Sequence, residues 1–383
     1  MLLVYFVDNK LGGVTSLNYN LASNPISGTE QWVIHIEQEE WKMSRANLHY
    51  PVDKELHFHY SGDEHSYKTL KRLRKLVPDR EGAMVLNYEN EMAMLDHFPV
   101  KQTTYQLVHD DYNVRLAKKY GHIVDVFICH NTIIYEALKA LFPERCSEIF
   151  YLPHGVTIPS LFREHQNDQG KLKLLFLGRI TSSKGIFDLP VISKYLKESG
   201  VEFEWVCIGN GPELDTLKSL WNEPGLITFV SPSTNNEVMD LCARQDVFVL
   251  PTKFEGSPVS LLETMSAGLV PVITRLPGGI TDIVSEDIGF AIEMDNNRAF
   301  ADAINTLYIN RDLLKKMSVN CRKKVMSGFD VKVTAQAYHS LFLRYREFYK
   351  PKVIQKLKVG ARLDHPLIPA SVTKLIRKYN KQK

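Results

Sequence analysis

The 383-residue chain is 44% hydrophobic and 24% charged, the balance of a globular protein large enough for two domains. Its formal net charge of +3 is small, so the total charge predicts no nucleic-acid partner. The five cysteines lack metal-ligand spacing and are typical of a reducing compartment, and no apolar run reaches the roughly 18 residues of a membrane span.

Short apolar runs alternate with helical patterns along the whole chain, as in parallel sheets built from βαβ units. In the first half, strands are predicted at Leu2–Val7, Trp32–Ile36, Ala83–Asn87, Thr104–His109, Val124–Cys129 and Glu148–Leu152. In the second half, they are predicted at Lys173–Leu177, Phe203–Ile208, Ile227–Val230, Val247–Leu250, Val270–Ile273 and Gly289–Ile292. The first run lacks a basic flank, so we expect a strand there and not a signal peptide.

The polar stretch from Arg163 to Lys171 predicts a linker between two similar halves. We therefore expect domains at 1–163 and 171–345, followed by a basic segment at 346–383. The predicted fold class is α/β, with two Rossmann-like, doubly wound domains that face each other across an interdomain cleft. Such open sheets bind ligands beyond the carboxyl ends of their strands.

Two candidate site elements follow strands of the first half. Gly12 and Gly13 come after the first strand and permit close approach of a ligand to the backbone, although an ordinary βα turn explains them as well. His109 ends a strand and is followed by two aspartates. A lone histidine there is more often structural, and no second His or Cys lies near enough in sequence to predict a metal site.

Two cations follow the first strand of the second half. Arg179 comes directly after the strand end, and Lys184 is predicted to open a helix with Gly185. Together they could clamp a diphosphate, and the alternative is a pair of solvated surface cations. Gly209 lies in a tight turn after the next strand. That turn lacks the third glycine of a dinucleotide fingerprint, because Leu214 occupies its place, which argues against a dehydrogenase.

A helix over 258–267 is predicted between the strands at 247–250 and 270–273. Ser257 is a suitable cap and Pro258 suits the first helical position, while Gly268 predicts the end of the helix. The free backbone N–H groups at Gly256 and Ser257 would make an anion site, which the helix dipole reinforces.

Two glutamates flank this predicted helix start. Glu255 lies in the preceding loop, and Glu263 lies more than one turn inside the helix. Carboxylates accept hydrogen bonds from sugar hydroxyls, so an anion carrying hydroxyl groups would suit the pair. One alternative is an acidic helix start that complements the dipole, and another is the carboxylate pair of a glycosidase.

The order of these elements resembles a GT-B glycosyltransferase of family 4, a large family of retaining enzymes. The matching segments are Gly12-Gly13, His109–Asp111, Leu152–Val156, Gly178–Gly185, Ile208–Pro212 and Phe254–Glu263. The resemblance extends from about Met1 to Tyr349 and is strongest in the second half. His154 departs from it, because the family usually has asparagine there, and we expect a local change without loss of activity.

The resemblance implies a role for each candidate residue. Arg179 and Lys184 would hold the donor diphosphate, Glu255 the sugar hydroxyls and Glu263 the ribose. His109 would reach the donor sugar from the facing domain. The remaining donor contacts would come from Gly13, Gly209, Gly256, Ser257 and Pro258.

The implied reaction is transfer of a sugar from a nucleotide sugar to a lipid-linked or saccharide acceptor, with retention of configuration. No Asp-x-Asp triplet occurs, so neither a metal nor a cofactor is expected. Bacterial surface polysaccharide synthesis is the pathway class expected. The alternatives are a soluble transferase for a small molecule or a protein, and a non-catalytic scaffold that binds sugar nucleotides.

The C-terminal segment is strongly basic, with nine Lys or Arg and one acid between Lys352 and Lys383. Apolar residues recur at helical spacing within Val372–Tyr379, and Lys68–Arg80 shows a similar pattern. Each stretch either packs on its own domain or binds an anionic membrane surface. We expect a cytoplasmic protein, with attachment to the inner face of the plasma membrane as the alternative.

Overall fold

A computed structural model describes residues 1–8, 12–40, 48–164, 170–232, 234–256, 258–352 and 362–381. The chain divides into two compact units. Met1–Pro153 and Ala335–Lys383 form the first unit, and His154–Thr334 form the second. The division falls after Pro153, ahead of the predicted linker, and the basic C-terminal segment belongs to the first unit.

The first unit is built on a seven-stranded parallel sheet. Its strands are β1 (Leu2–Val7), β2 (Glu30–Gln38), β3 (Lys54–Tyr60), β4 (Gly82–Leu86), β5 (Gln102–Val108), β6 (Val126–Cys129) and β7 (Ile149–Tyr151). They lie in the order β3-β2-β1-β4-β5-β6-β7. The connecting helices are α1 (Gly13–Ser23), α2 (Ser66–Arg74), α3 (Glu89–His97), α4 (Asp111–Tyr120) and α5 (Thr132–Leu141). Every residue of β1 is buried, as expected of a central strand covered on both faces.

The second unit has a six-stranded parallel sheet in the order β10-β9-β8-β11-β12-β13. The strands are β8 (Leu172–Leu177), β9 (Phe203–Ile208), β10 (Ile227–Val230), β11 (Val247–Leu250), β12 (Val270–Thr274) and β13 (Phe290–Ile292). The helices are α6 (Asp188–Glu198), α7 (Leu214–Leu220), α8 (Asn235–Cys242), α9 (Val259–Ser266), α10 (Asn297–Ile309) and α11 (Arg311–Gly328). Helix α10 packs against α6, and α11 packs against α9.

The remaining helices are α12 (Val331–Leu343), α13 (Tyr345–Phe348) and α14 (Ala370–Lys381). Within the first unit, Asp364 holds the chain ahead of α14 on α2. Its carboxylate accepts hydrogen bonds from the Ser66 backbone N–H at 2.7 Å and from the Arg377 guanidinium at 2.6 Å. Lys68 adds a hydrogen bond to the Ile368 carbonyl at 2.9 Å, so the basic C-terminal segment contacts the basic stretch that begins at Lys68.

All twelve predicted strands occur, with ends shifted by a few residues, and β3 is the strand that the sequence did not predict. It alternates Glu55, His57 and His59 with Leu56 and Phe58, and it lies at the edge of the sheet. An edge strand with one polar face lacks the continuous apolar run by which the buried strands were recognised.

Each sheet reverses its strand order once, between β1 and β4 in the first unit and between β8 and β11 in the second. At such a switch point the connections leave toward opposite faces of the sheet, and a crevice opens beyond the carboxyl ends of the two strands. These two places are therefore where each unit is expected to bind a ligand.

Candidate functional site

The loops after β8 and β11 meet at the switch point of the second unit. Their strands are neighbours, with Val247 opposite Leu174 in the ladder. Beyond the strands, the Ser183 carbonyl accepts hydrogen bonds from the Lys253 N–H at 2.9 Å and from the Thr252 hydroxyl at 3.2 Å. The two loops are thus tied together at the edge of the sheet.

Glycine is required at two close approaches of the backbone, one between the loops after β8 and β11 and one between the loops after β8 and β9. Gly185 has φ +68°, and a Cβ atom there would lie 1.8 Å from the Pro251 carbonyl oxygen. Gly209 has φ +151°, and a Cβ atom would lie 1.9 Å from the Gly178 carbonyl oxygen. Both positions exclude side chains by contact with the backbone, so the packing of three strand ends explains these glycines without a ligand.

The close approach of the loops brings Lys184 and Glu255 into an ion pair. Both side chains are largely buried, with Glu255 only 10% exposed. Burial raises the pKa of Glu255 above its usual value, although Lys184 opposes the rise. The pair is therefore a cation held at the switch point by a carboxylate that is itself poorly solvated.

Arg179 lies two residues beyond the end of β8 and is exposed. The backbone on either side of it is fixed, because the Gly178 N–H donates to the Ile208 carbonyl at 3.1 Å and the Ile180 N–H donates to the Asn210 carbonyl at 3.0 Å. Lys184 ends a single 3-10 turn at Ser182–Lys184, and α6 begins only at Asp188, so the prediction that Lys184 opens a helix was wrong. The left-handed conformation of Gly185 ends the turn after Lys184.

Helix α9 begins one residue later than predicted. Pro258 has an extended conformation and is the residue preceding the helix, while its carbonyl already accepts from the Leu261 N–H at 3.1 Å. The prediction that Pro258 is the first helical residue was therefore wrong. The predicted end is confirmed, because Gly268 has φ +90° just past the last turn. Ser257 lies outside the described residues.

Glu263 is the fifth residue of α9 and is partly buried. Burial raises the pKa of its carboxyl group to about 7. Among the described residues, no hydrogen-bond or ion-pair partner of this carboxylate is found, in contrast to Glu255. A ligand that donates hydroxyl hydrogen bonds would offset the cost of ionising it.

At the switch point of the first unit, Asn87 follows β4 and joins several elements. It donates to the Phe6 carbonyl at 3.0 Å, and its side-chain oxygen lies 3.1 Å from the Nε2 atom of His109. His109 also packs against His130, with ring centroids 4.8 Å apart. Burial and His130 hold the pKa of His109 well below its usual value, so its imidazole is neutral near neutral pH.

The structure places the predicted residues in two groups. The second unit brings together Lys184 and Glu255, with Arg179, Gly256 and Pro258 on the same two loops, Glu263 on α9 and Gly209 on the loop after β9. The first unit holds His109 after β5 and Gly13 at the first position of α1. Sequence analysis missed Asn87 and His130, because strand pairing brings them to His109 and no local motif marks either residue.

Residues 157–324 match the family model described as glycosyl transferases group 1. The UDP-Gal:alpha-D-GlcNAc-diphosphoundecaprenol alpha-1,3-galactosyltransferase of Escherichia coli is 25% identical over 224 residues, or 55% of each chain. A capsular polysaccharide biosynthesis glycosyltransferase of Staphylococcus aureus is 25% identical over 51% of this chain and 55% of its own length. The alignments thus span about half the length of these curated relatives.

The whole fold resembles a solved structure. The Anabaena protein HepE, crystallised with UDP and glucose, superimposes with a TM-score of 0.67 at 14% identity, covering 89% of this chain and 99% of that one. At this identity the likeness shows the fold, and the predicted GT-B class is confirmed. Among the described residues, no helix is both long and apolar enough to cross a bilayer.

We predict that Gly185→Ala destabilises the second unit far more than Gly200→Ala. Both glycines have nearly the same left-handed φ, +68° and +70°, but a Cβ at Gly200 meets nothing within 4 Å. The control therefore carries only the backbone strain of about 1–3 kcal/mol, whereas Gly185→Ala adds a clash with Pro251. Chemical denaturation of both variants measures the difference, and equal loss of stability would contradict this account of the loop packing.

Proposed function

We propose that this chain, whose residues 157–324 match the family model of the group 1 glycosyl transferases, moves a sugar from a nucleotide sugar to an acceptor hydroxyl. The observation that carries the proposal is the Lys184–Glu255 ion pair at the switch point of the second unit, together with the partly buried carboxyl group of Glu263 on α9, the helix that follows β11. One cation and two carboxylates at a strand edge suit a ligand that combines a diphosphate with sugar hydroxyls.

The chemical task of the two cations is to stabilise the leaving diphosphate. Negative charge develops on that group as the glycosidic bond breaks, and a fixed cation lowers the barrier most when it is preorganised. Lys184 is preorganised by Glu255, while exposed Arg179 can turn toward a ligand. With two cations available, the proposed reaction needs no metal, and adding magnesium or manganese after chelation should not raise the rate.

The two glutamates divide the donor between them in this proposal. Glu255 binds the sugar hydroxyls next to the diphosphate held by its partner Lys184. Glu263 binds the ribose hydroxyls, which would supply the donors its carboxylate lacks among the described residues. Gly256, Ser257 and Pro258 line the phosphate end, as the family resemblance implies.

Retention of configuration is also part of the proposal. The resemblance implies attack from the face of the leaving group, with a phosphate oxygen taking the acceptor proton. The contact of His109 with the donor sugar, the approach of Gly13 to the phosphate or acceptor, and the contribution of Gly209 stay predictions. The neutral imidazole of His109 can accept or donate a hydrogen bond without adding charge.

We place the reaction in the synthesis of bacterial surface polysaccharide, on a lipid-linked or saccharide acceptor. Support comes from the relatives, one named for a diphosphoundecaprenol acceptor and one for capsular polysaccharide. The solved HepE complex with UDP and glucose supports a nucleotide-sugar donor. Turnover with a small soluble acceptor would favour the alternative of a soluble transferase, and binding without turnover would favour a scaffold.

Attachment to an anionic membrane surface is a further part of the proposal, and helix α14 supports it. This helix turns Thr373 inward, fully buried, and exposes Leu375, Tyr379 and Val372 together with Lys374 and Lys378. Its apolar side chains are thus exposed beside cations, which is the arrangement that interfacial helices use on anionic lipid.

We predict that Lys184→Ala and Arg179→Ala each lower kcat/KM by about 10²–10³, the usual cost of losing one electrostatic donor to a developing charge. Lys197→Ala is the matched control. It breaks an ion pair with Glu223 in the same unit, on the last turn of α6. Steady-state rates with the nucleotide sugar measure the effect. Near wild-type rates in both site variants would refute the diphosphate assignment.

We predict that Glu263→Gln and Glu255→Gln separate nucleotide binding from transfer. Glu263→Gln should weaken binding of both the nucleoside diphosphate and the whole donor. Glu255→Gln should lower transfer and leave diphosphate affinity nearly unchanged, because its amide oxygen can still accept the hydrogen bond that positions Lys184. A hydrogen bond to a carboxylate contributes about 1.5–3 kcal/mol, and each variant loses it only where its partner is present. Isothermal titration and rate measurements distinguish the two, and equal loss of diphosphate affinity would show that both carboxylates serve the nucleotide.

Isothermal titration at several pH values tests the role proposed for Glu263. Its pKa of about 7 lies above the usual carboxyl value, so the carboxylate forms only as the pH rises through that range. Because ribose hydroxyls form stronger hydrogen bonds to the ionised carboxylate, the affinity of the wild type for the nucleoside diphosphate should increase as the pH rises through about 7. Glu263→Gln serves as the control, since the ligand's own titration is common to both proteins.

We predict that the chain sediments with anionic vesicles and that Leu375→Ser reduces this binding. Leu220→Ser is the matched control, because Leu220 is similarly exposed, 66% against 72%, but lies on α7 in the second unit. High salt should weaken the binding only in part, because salt screens the lysines and leaves the apolar contact. Equal sedimentation of both variants, or none of the wild type, would contradict a role for α14.

A further inference from the structure

Four histidines and two glutamates gather at the β2–β3 edge of the first unit. The parallel register sets His35 opposite His57 and Glu37 opposite His59, and Glu55 lies two residues before His57 on the same face of β3. Neighbouring strands lie only about 4.8 Å apart, so these side chains are held close by the ladder itself. His49 lies just ahead of β3, with its Nδ1 atom 3.6 Å from Glu55.

The contacts within this cluster connect its side chains in a definite order. The Nε2 atom of fully buried His35 lies 2.6 Å from Glu55 Oε1. The Nδ1 atom of His57 lies 3.1 Å from Glu37 Oε1, and the rings of His35 and His57 are stacked with centroids 4.3 Å apart. Glu37 also reaches His59 at 2.8 Å.

We propose that His35, Glu55 and His57 bind a zinc ion, a site separate from the sugar-transfer residues. One ligand atom from each of the three lies within 4.8 Å of the others. Bound ligand atoms lie about 2.0–2.2 Å from zinc, which places them roughly 3.3 Å apart in a tetrahedron. The His35 and Glu55 atoms, at 2.6 Å, are closer than this, and all three ligand atoms lie within 4.8 Å of one another, so side chains must rotate to form the site.

Glu55 and His57 can rotate, because their side chains are 21% and 47% exposed, whereas His35 is held in the core. Rotation of the His57 ring out of its stack with His35 would turn a nitrogen lone pair of His57 toward the space between His35 and Glu55, where the ion would bind. In forming the site, the His35 proton that bonds to Glu55 moves from Nε2 to Nδ1, so that the Nε2 lone pair and the Glu55 oxygen both become ligands.

The donor set selects the class of metal. Two imidazoles and one carboxylate suit zinc and other first-row transition metals such as iron, whereas magnesium and calcium prefer oxygen ligands throughout. Three protein ligands leave a fourth position for water. Glu37 would then act on the ion indirectly, because it accepts a hydrogen bond from His57 and sets the orientation of the ring.

A zinc ion at this place would join the edge strand β3 to β2. Strand β3 has one neighbour and a largely exposed polar face, so it gains less from burial than the inner strands. Metal ligands from two strands would tie the edge to the sheet. The predicted effect is on the stability of the first unit, independent of the diphosphate residues in the second.

The test uses the full chain without a polyhistidine tag, stripped with a chelator and titrated calorimetrically with zinc chloride. We expect one zinc ion per chain, and cobalt substitution should give the visible absorption of a four-coordinate site. His57→Gln and Glu55→Gln should weaken zinc binding at least about 100-fold, and Glu37→Gln about 10–100-fold. Zinc should raise the melting temperature of the wild type but not of His57→Gln.

His122→Gln is the matched control, because His122 forms a similar histidine–carboxylate pair with Asp96 at 2.6 Å in the same unit. This variant should bind zinc like the wild type. Exposed His57 allows its substitution without a loss of fold, which equal melting temperatures of the two metal-free proteins would verify. The proposal is overturned if the wild type binds no stoichiometric zinc, or if His57→Gln binds it as tightly as His122→Gln does.

Discussion

The contact of Gly185 with the Pro251 carbonyl is the constraint on which the candidate site of the second unit depends. It lets the loops after β8 and β11 approach until their backbones share hydrogen bonds through Ser183. Only then can Lys184 and Glu255, which are 71 residues apart in the chain, form an ion pair. A side chain at Gly185 would separate the loops and, with them, the two charges.

The charged groups Lys184, Glu255 and Glu263 of the second unit favour binding of a ligand. Burial raises the pKa of Glu255 although Lys184 opposes the rise, and it raises that of Glu263 to about 7. Without a ligand, the lysine is neutralised by one carboxylate, and the second carboxylate is costly to ionise. A diphosphate with hydroxyl groups would offer a more highly charged partner to the lysine and hydrogen-bond donors to the glutamates.

The sequence predicted what depends on local patterns. The buried strands appear as continuous apolar runs, and Gly268 marks the end of α9 because a left-handed residue is needed there. What it missed depends on pairing between distant segments. Asn87 and His130 reach His109 through neighbouring strands, and β3 carries too few apolar residues to be recognised. The histidines at the β2–β3 edge become a cluster only when the register of that unpredicted strand is known.

The central claim is that a nucleotide sugar binds at the strand edge around Lys184 and Glu255. Hydrogen–deuterium exchange measured with and without the nucleotide sugar that best stabilises the protein, chosen from UDP, GDP, ADP and dTDP sugars by thermal shift, tests this directly. The account predicts that protection in the second unit concentrates in the loops after β8, β9 and β11 and in the first turns of α9. Saturating ligand that leaves those loops unprotected while protecting other parts of the second unit would contradict it.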